Sequence, residues 1–307
     1  MRLLIAVCGS LLAAPIFAAE PHLSIETSAD SLAIRADGRP VVQYVLRHDK
    51  VLRPFFTDLH APNGAQVTRN FPPVAGQDAV DHDTMHPGLW LGFGDISGAD
   101  FWRNKGVVRH VEFVESPRVE HNTVTFAVKN AYQAGDKQIC DQVCRVEISA
   151  HPSGYWILLD SRFSSPNEFA FGDQEELGLG LRVATPLAVK NGGRLTNSDG
   201  LSGEKQLWGK QANWCDYSGE IDGKPVGVLL VPDPANFRRC WFHARDYGFV
   251  AANPFGRNAF TKGEKSKVAV LPGQSLGLRY AVLVHAGEAE LAQDYREALE
   301  LMNAMRP

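Results

Sequence analysis

Short runs of β-branched and aromatic residues, broken by Gly, Pro, Asn and Asp, recur along the chain from Leu23 to Val284. Residues 32–35 and 41–46 come first, and residues 107–114, 123–128, 143–148, 156–163, 177–184, 226–231 and 278–284 repeat the pattern. Several alternate apolar with polar, the period of a half-buried antiparallel strand, because successive side chains point to opposite faces. That many strands, with turns between and no recurring helical period, predict an all-β fold: a large antiparallel β-sandwich rather than a parallel α/β sheet. One stretch differs. Residues 288–305 lack Gly and Pro and place Leu291, Tyr295, Leu299 and Met302 three or four apart, which predicts one C-terminal helix with an apolar face toward the sandwich.

The first residues carry another pattern. Met1-Arg2, an apolar run over 3–12 and small residues over 13–19 predict a signal peptide of residues 1–19, cleaved after Ala18 or Ala19. The product is then periplasmic or secreted. Cys8 lies within the apolar run after Val7, a poor match to a lipoprotein cleavage site. Beyond residue 19 no stretch reaches the ~18 consecutive apolar residues of a spanning helix, so no membrane insertion of the mature chain is expected. The 307 residues exceed a usual domain of ~100–150, yet sandwiches often run longer. No repeat, low-complexity tract or rich linker divides them, and residues 20–307 are expected to form one domain.

A net charge of −4 leaves no broad basic surface and argues against nucleic acid as a partner. Four cysteines follow the leader, Cys140, Cys144, Cys215 and Cys240. An even number in an oxidising compartment favours disulfides over metal thiolates. Cys140 with Cys144 across a turn would leave Cys215 with Cys240, and buried free thiols are the alternative.

Candidate chemistry is densest over residues 81–104. Asp81, His82, Asp83 and His86 crowd together, followed by Trp90, Gly92, Gly94, Gly98, Asp100, Trp102, Arg103 and Asn104. Small residues that admit close backbone approach alternate there with charged and aromatic ones, as in a ligand cleft. His82 and His86, four apart, would share one face of a helical turn, where they could hold a divalent metal. Pro87 limits such a helix, and general acid–base work near neutral pH is the stronger expectation. Trp90 and Trp102 offer flat faces for a sugar ring while Asp100, Arg103 and Asn104 bond its hydroxyls, with core filling as the alternative for both tryptophans.

Two further clusters stand out. Glu175 and Glu176 lie within residues 172–178, just before an apolar strand; read as adjacent strand positions they face opposite ways, so at most one enters a pocket. Trp241, His243 and Arg245 share one face if residues 241–245 are extended, and Asn253 follows nearby. The chain has neither a Gly-x-Ser-x-Gly elbow nor a nucleotide-binding glycine fingerprint, which removes serine hydrolases and nucleotide enzymes of those types.

The motifs Arg53-Pro54-Phe55-Phe56, Ala61-Pro62-Asn63-Gly64, His86-Pro87-Gly88-Leu89-Trp90, Gly98-Ala99-Asp100-Phe101-Trp102, Glu175-Glu176-Leu177-Gly178, Trp214-Cys215-Asp216-Tyr217 and His243-Ala244-Arg245-Asp246-Tyr247-Gly248 together resemble the family labelled PmoA-like. The resemblance spans nearly all of the chain after the leader. Methane oxidation, which the label evokes, belongs to a membrane protein and does not fit a chain without a spanning segment. The chain reads Met85-His86-Pro87 where many relatives have a His-His-Arg cluster. The resemblance implies an exported protein and a sandwich similar to the galactose mutarotase superfamily, in which a histidine and a carboxylate flank a sugar. The matching pair would be His86 or His243 with Glu176 or Asp100.

The leading expectation is therefore an exported carbohydrate-active enzyme that cleaves or isomerises a small sugar or oligosaccharide. Its catalytic candidates are His82, His86, Asp100, Glu176 and His243. Trp90, Trp102, Arg103, Asn104, Trp241, Arg245 and Asn253 are the expected substrate-binding groups. No cofactor is needed for that chemistry. The alternatives are a non-catalytic carbohydrate-binding protein and a metal-dependent enzyme built on His82, His86 and His243.

Overall fold

The computed structural model describes residues 21–306, so the expected signal peptide lies outside the described residues. In chain order the first strands are β1 (Leu23–Thr27), β2 (Ser31–Ala36), β3 (Arg39–Val45), β4 (Phe55–Thr57), β5 (Leu89–Phe93), β6 (Val107–Glu120) and β7 (Thr123–Ala134). There follow β8 (Lys137–His151), β9 (Gly154–Ser164), β10 (Phe169–Phe171), β11 (Leu177–Arg182), β12 (Arg194–Asn197) and β13 (Lys210–Gln211). The last are β14 (Cys215–Ile221), β15 (Lys224–Pro232), β16 (Trp241–Arg245), β17 (Phe249–Asn253), β18 (Val268–Val270) and β19 (Ser275–Ala286). Helices α1 (Glu204–Leu207) and α2 (Arg257–Thr261) are single turns, and α3 (Leu291–Ala304) is longer.

A nine-stranded sheet, β1-β2-β3-β4-β5-β11-β17-β16-β13, lies over an eight-stranded one, β12-β14-β15-β19-β9-β8-β7-β6. The named strands pair antiparallel throughout. Alternation decides which side chains meet in the middle. On β11, Leu177, Leu179 and Leu181 enter the core shared by the two sheets, as do Val250 and Ala252 of β17 and Phe242 and Ala244 of β16. Gly178, Gly180 and Arg182, Phe249, Ala251 and Asn253, and Trp241, His243 and Arg245 therefore project from the outer face of the nine-stranded sheet. The fold is mostly β and antiparallel, as the pattern of short alternating runs predicts.

The C-terminal helix is present and begins later than residue 288. Its Ala298, Met302 and Met305 pack on Trp156, Leu158, Leu229, Val231 and Leu283 of the eight-stranded sheet, with Leu291, Tyr295 and Leu299 beside them. The expected disulfides are absent: all four cysteines are free and buried. Cys140 and Cys144 both lie on β8 with no turn between them. Four residues of extended chain span about 13 Å, well beyond the ~7 Å between Cα atoms that a disulfide tolerates. Cys215 starts β14 and Cys240 precedes β16, strands of different sheets.

Candidate functional site

The loop over residues 79–86 crosses the outer face of the nine-stranded sheet, held by three buried arginines. Arg69 donates to the carbonyls of Ala79 (2.8 Å), Asp81 (2.6 Å), His82 (3.3 Å) and His86 (3.0 Å). Arg182, at the outward end of β11, grips the Asp81 carboxylate through both terminal nitrogens at 2.9 and 2.8 Å. Arg53 donates to Met85, to the Trp102 carbonyl at 2.9 Å and to Asn104 Oδ1 at 2.9 Å. Bidentate guanidinium–carboxylate pairing fixes orientation as well as charge. Burial alone would raise the Asp81 carboxyl, but hydrogen bonds from Arg182 and His82 outweigh it and hold the group well below the usual carboxylate range.

The loop lays its histidines flat. His82 takes a left-handed backbone (φ 50°) and His86 N–H closes onto the His82 carbonyl at 2.9 Å, so the two rings stack 4.6 Å apart and 9° from parallel. Tyr247 is parallel to His82, and Phe249 and Trp90 continue the stack beneath His86. Burial, then the charges of His82, Arg182, Arg53 and Arg69, push the His86 imidazole well below its ordinary value, so it is neutral. Trp90 and Trp102 are each 1% exposed and pack edge to face at 5.2 Å. They lie on a floor of glycine: a Cβ at Gly180 would sit 2.7 Å from Trp90, and one at Gly92 2.8 Å from Trp102. No face of either ring is left for a sugar, which corrects the expected stacking role. Asn104 is likewise spent internally, accepting from Leu52 N–H and Arg53 and donating to Thr84.

A second group assembles at the other side of the same face, around β16. His243 is 5% exposed, neither ring nitrogen has a hydrogen-bond partner, and Nε2 lies 3.5 Å from the Glu175 carboxylate. Burial, followed by the nearby Arg245 charge, pushes its pKa down to about 3. Arg245 bridges Glu204 at 3.2 Å and Glu175 at 3.5 Å, its guanidinium 5.9 Å from the Trp208 ring centroid. Arg103 pairs with Glu176 and with Asp100 at 3.2 Å. Asp100 also accepts from the N–H groups of Trp102 and Arg103, a turn-capping role that leaves it little freedom. Asn253 is fully buried; it donates to the Gln174 and Glu175 carbonyls and accepts from Phe255 and Gly256 N–H, so it positions the acidic segment rather than facing a ligand. Trp241 is 7% exposed and stacks over Phe260.

Glu175 and Glu176 sit in a bend before β11, not in a strand. The strand rule that sends neighbours to opposite faces does not apply, and both reach arginines of this corner. The segment over 241–245 is extended, and His243 and Arg245 do share a face. Sequence reading passed over Glu204, which lies 41 residues from Arg245 with no local signal, and the three clamping arginines. The reading in which His82, His86 and His243 share a metal is not assembled: the first two rings are parallel, and His82 Nδ1 is taken by Asp81 at 2.8 Å. Among the described residues no three His, Cys, Asp or Glu side chains converge as a metal would require, and no helix is long and apolar enough to cross a membrane.

Several solved structures are similar. A galactose mutarotase-like protein from Clostridium acetobutylicum shares 8% identity over 88% of this chain and 99% of its own, with a TM-score of 0.40. A galactose mutarotase related enzyme from Lactobacillus acidophilus shares 12% over 86% of this chain and 97% of its own, at 0.35. The GH36 α-galactosidase AgaB from Geobacillus stearothermophilus shares 11% over 85% of this chain and 41% of its own, at 0.40. No curated protein matches the sequence. The resemblance to the PmoA-like family is overturned by the family model that does match, over residues 31–298, which is described as a family of unknown function. With most of its length covered by that model, the chain belongs to the DUF6807 family.

Proposed function

We propose that the protein is an exported carbohydrate-active enzyme that cleaves or isomerises a sugar, with His243 and Glu175 as its proton-handling pair. The observation that carries this reading is a buried, neutral histidine whose ring nitrogens make no hydrogen bond of good geometry and whose Nε2 lies 3.5 Å from the Glu175 carboxylate. A neutral imidazole accepts a proton from a sugar hydroxyl or a water; the adjacent carboxylate steadies the imidazolium that forms, and the proton then passes to the ring or glycosidic oxygen. Arg245, 3.5 Å from Glu175, fixes the carboxylate's position. Arg103, Arg245, Glu176 and Glu204, each partly exposed, supply donors and acceptors of the kind that bond sugar hydroxyls.

His82, His86 and Asp100 move out of the catalytic set in this reading. His86 is capped by the ring stack, and His82 and Asp100 serve the loop that carries them. The test is incubation of the purified protein with a panel of oligosaccharides and free sugars, with products read by mass spectrometry and NMR. Gain of water marks hydrolysis, an unsaturated product marks elimination, and altered anomeric signals at constant mass mark isomerisation. The proposal requires Glu175→Gln and His243→Phe each to slow product formation by about 10²–10⁴-fold while remaining folded. Saturable sugar binding without product would instead establish a binding protein.

A further inference from the structure

On the outer face of the eight-stranded sheet, polar side chains line up across four strands. Arg194 of β12 is in register with Ser218 of β14, Ser218 with Gly227 of β15, and Gly227 with His285 of β19. Residues in register share a face, so Arg194, Ser218 and His285 project together, and Gly227 leaves a gap between the last two. A Cβ there would come within 2.4 Å of His285 Nε2 and 2.7 Å of Ser218 Cβ. The glycine lets the imidazole lie across the sheet and reach Asp216, whose Oδ1 is 2.9 Å from Nε2.

This arrangement is incomplete in a specific way. His285 is 2% exposed and Ser218 7%, yet His285 Nδ1 and Ser218 Oγ have no hydrogen-bond partner, an unfavourable state for buried polar groups. Asp216, Ser218 and His285 line a cavity of about 260 Å³ between the sheet and the start of α3, with Arg194, Glu220 and Glu288 around it. One guanidinium thus stands against three carboxylates. With Nε2–H donating to Asp216, Nδ1 is left as the acceptor of the ring. The cavity therefore favours a ligand that donates hydrogen bonds and carries positive charge. Its volume falls below the ~300–1,000 Å³ of pockets for drug-sized ligands, which limits the ligand to about one sugar ring.

We propose that this cavity binds a small molecule with a primary ammonium group, of monosaccharide size or smaller, which donates to His285 Nδ1 and Ser218 Oγ. It lies on the opposite side of the sandwich from His243, and the proposal stands whatever the fate of the sugar-processing reading. The test is calorimetric titration at neutral pH with D-glucosamine, D-glucose and D-glucuronate, three charge variants of one ring. Glucosamine binds saturably, glucose at least about tenfold more weakly, a step worth one ion-assisted hydrogen bond, and glucuronate not at all. Ser218→Ala folds normally, since its hydroxyl has no partner to lose, and weakens glucosamine about tenfold; His285→Gln does the same, and Ser218→Ala alone decides the matter should that variant fail to fold. Glu175→Gln, at the β16 corner across the sandwich, leaves the affinity of this cavity unchanged. Absence of saturable glucosamine binding, equal binding of glucuronate, full affinity in Ser218→Ala or lost affinity in Glu175→Gln would each overturn the proposal.

Discussion

Two regions of one sheet face carry histidines, acids and arginines, and they employ them in opposite ways. In the stretch over residues 79–104 most charged groups are matched, Asp81 with Arg182, Arg69 with four carbonyls and Arg53 with the backbone under Trp102, while His86 Nδ1 and the Nε atoms of the three arginines stay unpartnered. Around β16 the charges pair more loosely and at the surface, and a buried histidine stands among them with neither nitrogen satisfied. The first arrangement fixes a loop; the second leaves a neutral base beside a carboxylate. Polar density in a sequence therefore marks a place where many polar groups must be satisfied, and only their partners show whether satisfaction comes from the protein or from a ligand.

The sharpest way to break this contrast is to remove charge from the clamp. Asp81→Asn leaves Arg182, buried and already beside Arg69, without its carboxylate. Removing one partner of a buried pair costs about 3–5 kcal/mol, and denaturant unfolding should show a loss at the lower end of that range because Asp81 is itself partly exposed. A change below about 1 kcal/mol would mean that the arginine is not held by this pair.

The counterpart at β16 should reverse the pattern. His243→Phe replaces an unpartnered buried ring with an apolar one of similar shape, a change that is close to neutral for stability. Turnover of whatever substrate the panel reveals should fall by about 10²–10⁴-fold, the usual contribution of a general acid–base group. A variant that loses stability and keeps its turnover would exchange the roles assigned to the two regions.

A third measurement separates packing from recognition at the tryptophans. Gly180→Ala drives a methyl into Trp90, and overpacking of this kind costs about 1–3 kcal/mol. Unchanged stability would show that Trp90 has room to move and a face to offer. The same residues show what the sequence made legible. Alternation over residues 241–245 placed Trp241, His243 and Arg245 on one face, since strand period is local. It could not show that Gly92 and Gly180, drawn from separate strands, make a floor for two tryptophans, nor that Arg182 answers Asp81 across 101 residues. Glu175 and Glu176 were set on opposite faces because a bend of two residues is invisible to a period-two rule. The cysteine pairing failed for the converse reason: spacing suggested a turn where β8 runs straight.

The finest test concerns protons. His243 is pushed down to about 3 in the folded chain from an ordinary 6.5. Between those values the unfolded chain binds a proton that the folded one does not, so stability rises with pH across this window and falls as the solution is acidified below about 6.5. One such histidine contributes a slope of about 1.4 kcal/mol per pH unit. His86, depressed by burial in the same direction, adds to it. Asp81 acts at the acid end of that window and beyond it: its carboxyl is lowered when folded, so its contribution is present above the ordinary value of 3.8 and is lost as pH falls from there toward the lowered folded value. His243→Phe should therefore flatten the slope above pH ~4.5 by about 1.4 kcal/mol per unit while His86 keeps the remainder. An unaltered slope in that variant would mean that the His243 ring is solvated and readily protonated, and the β16 corner would then be a surface ion-pair cluster like any other.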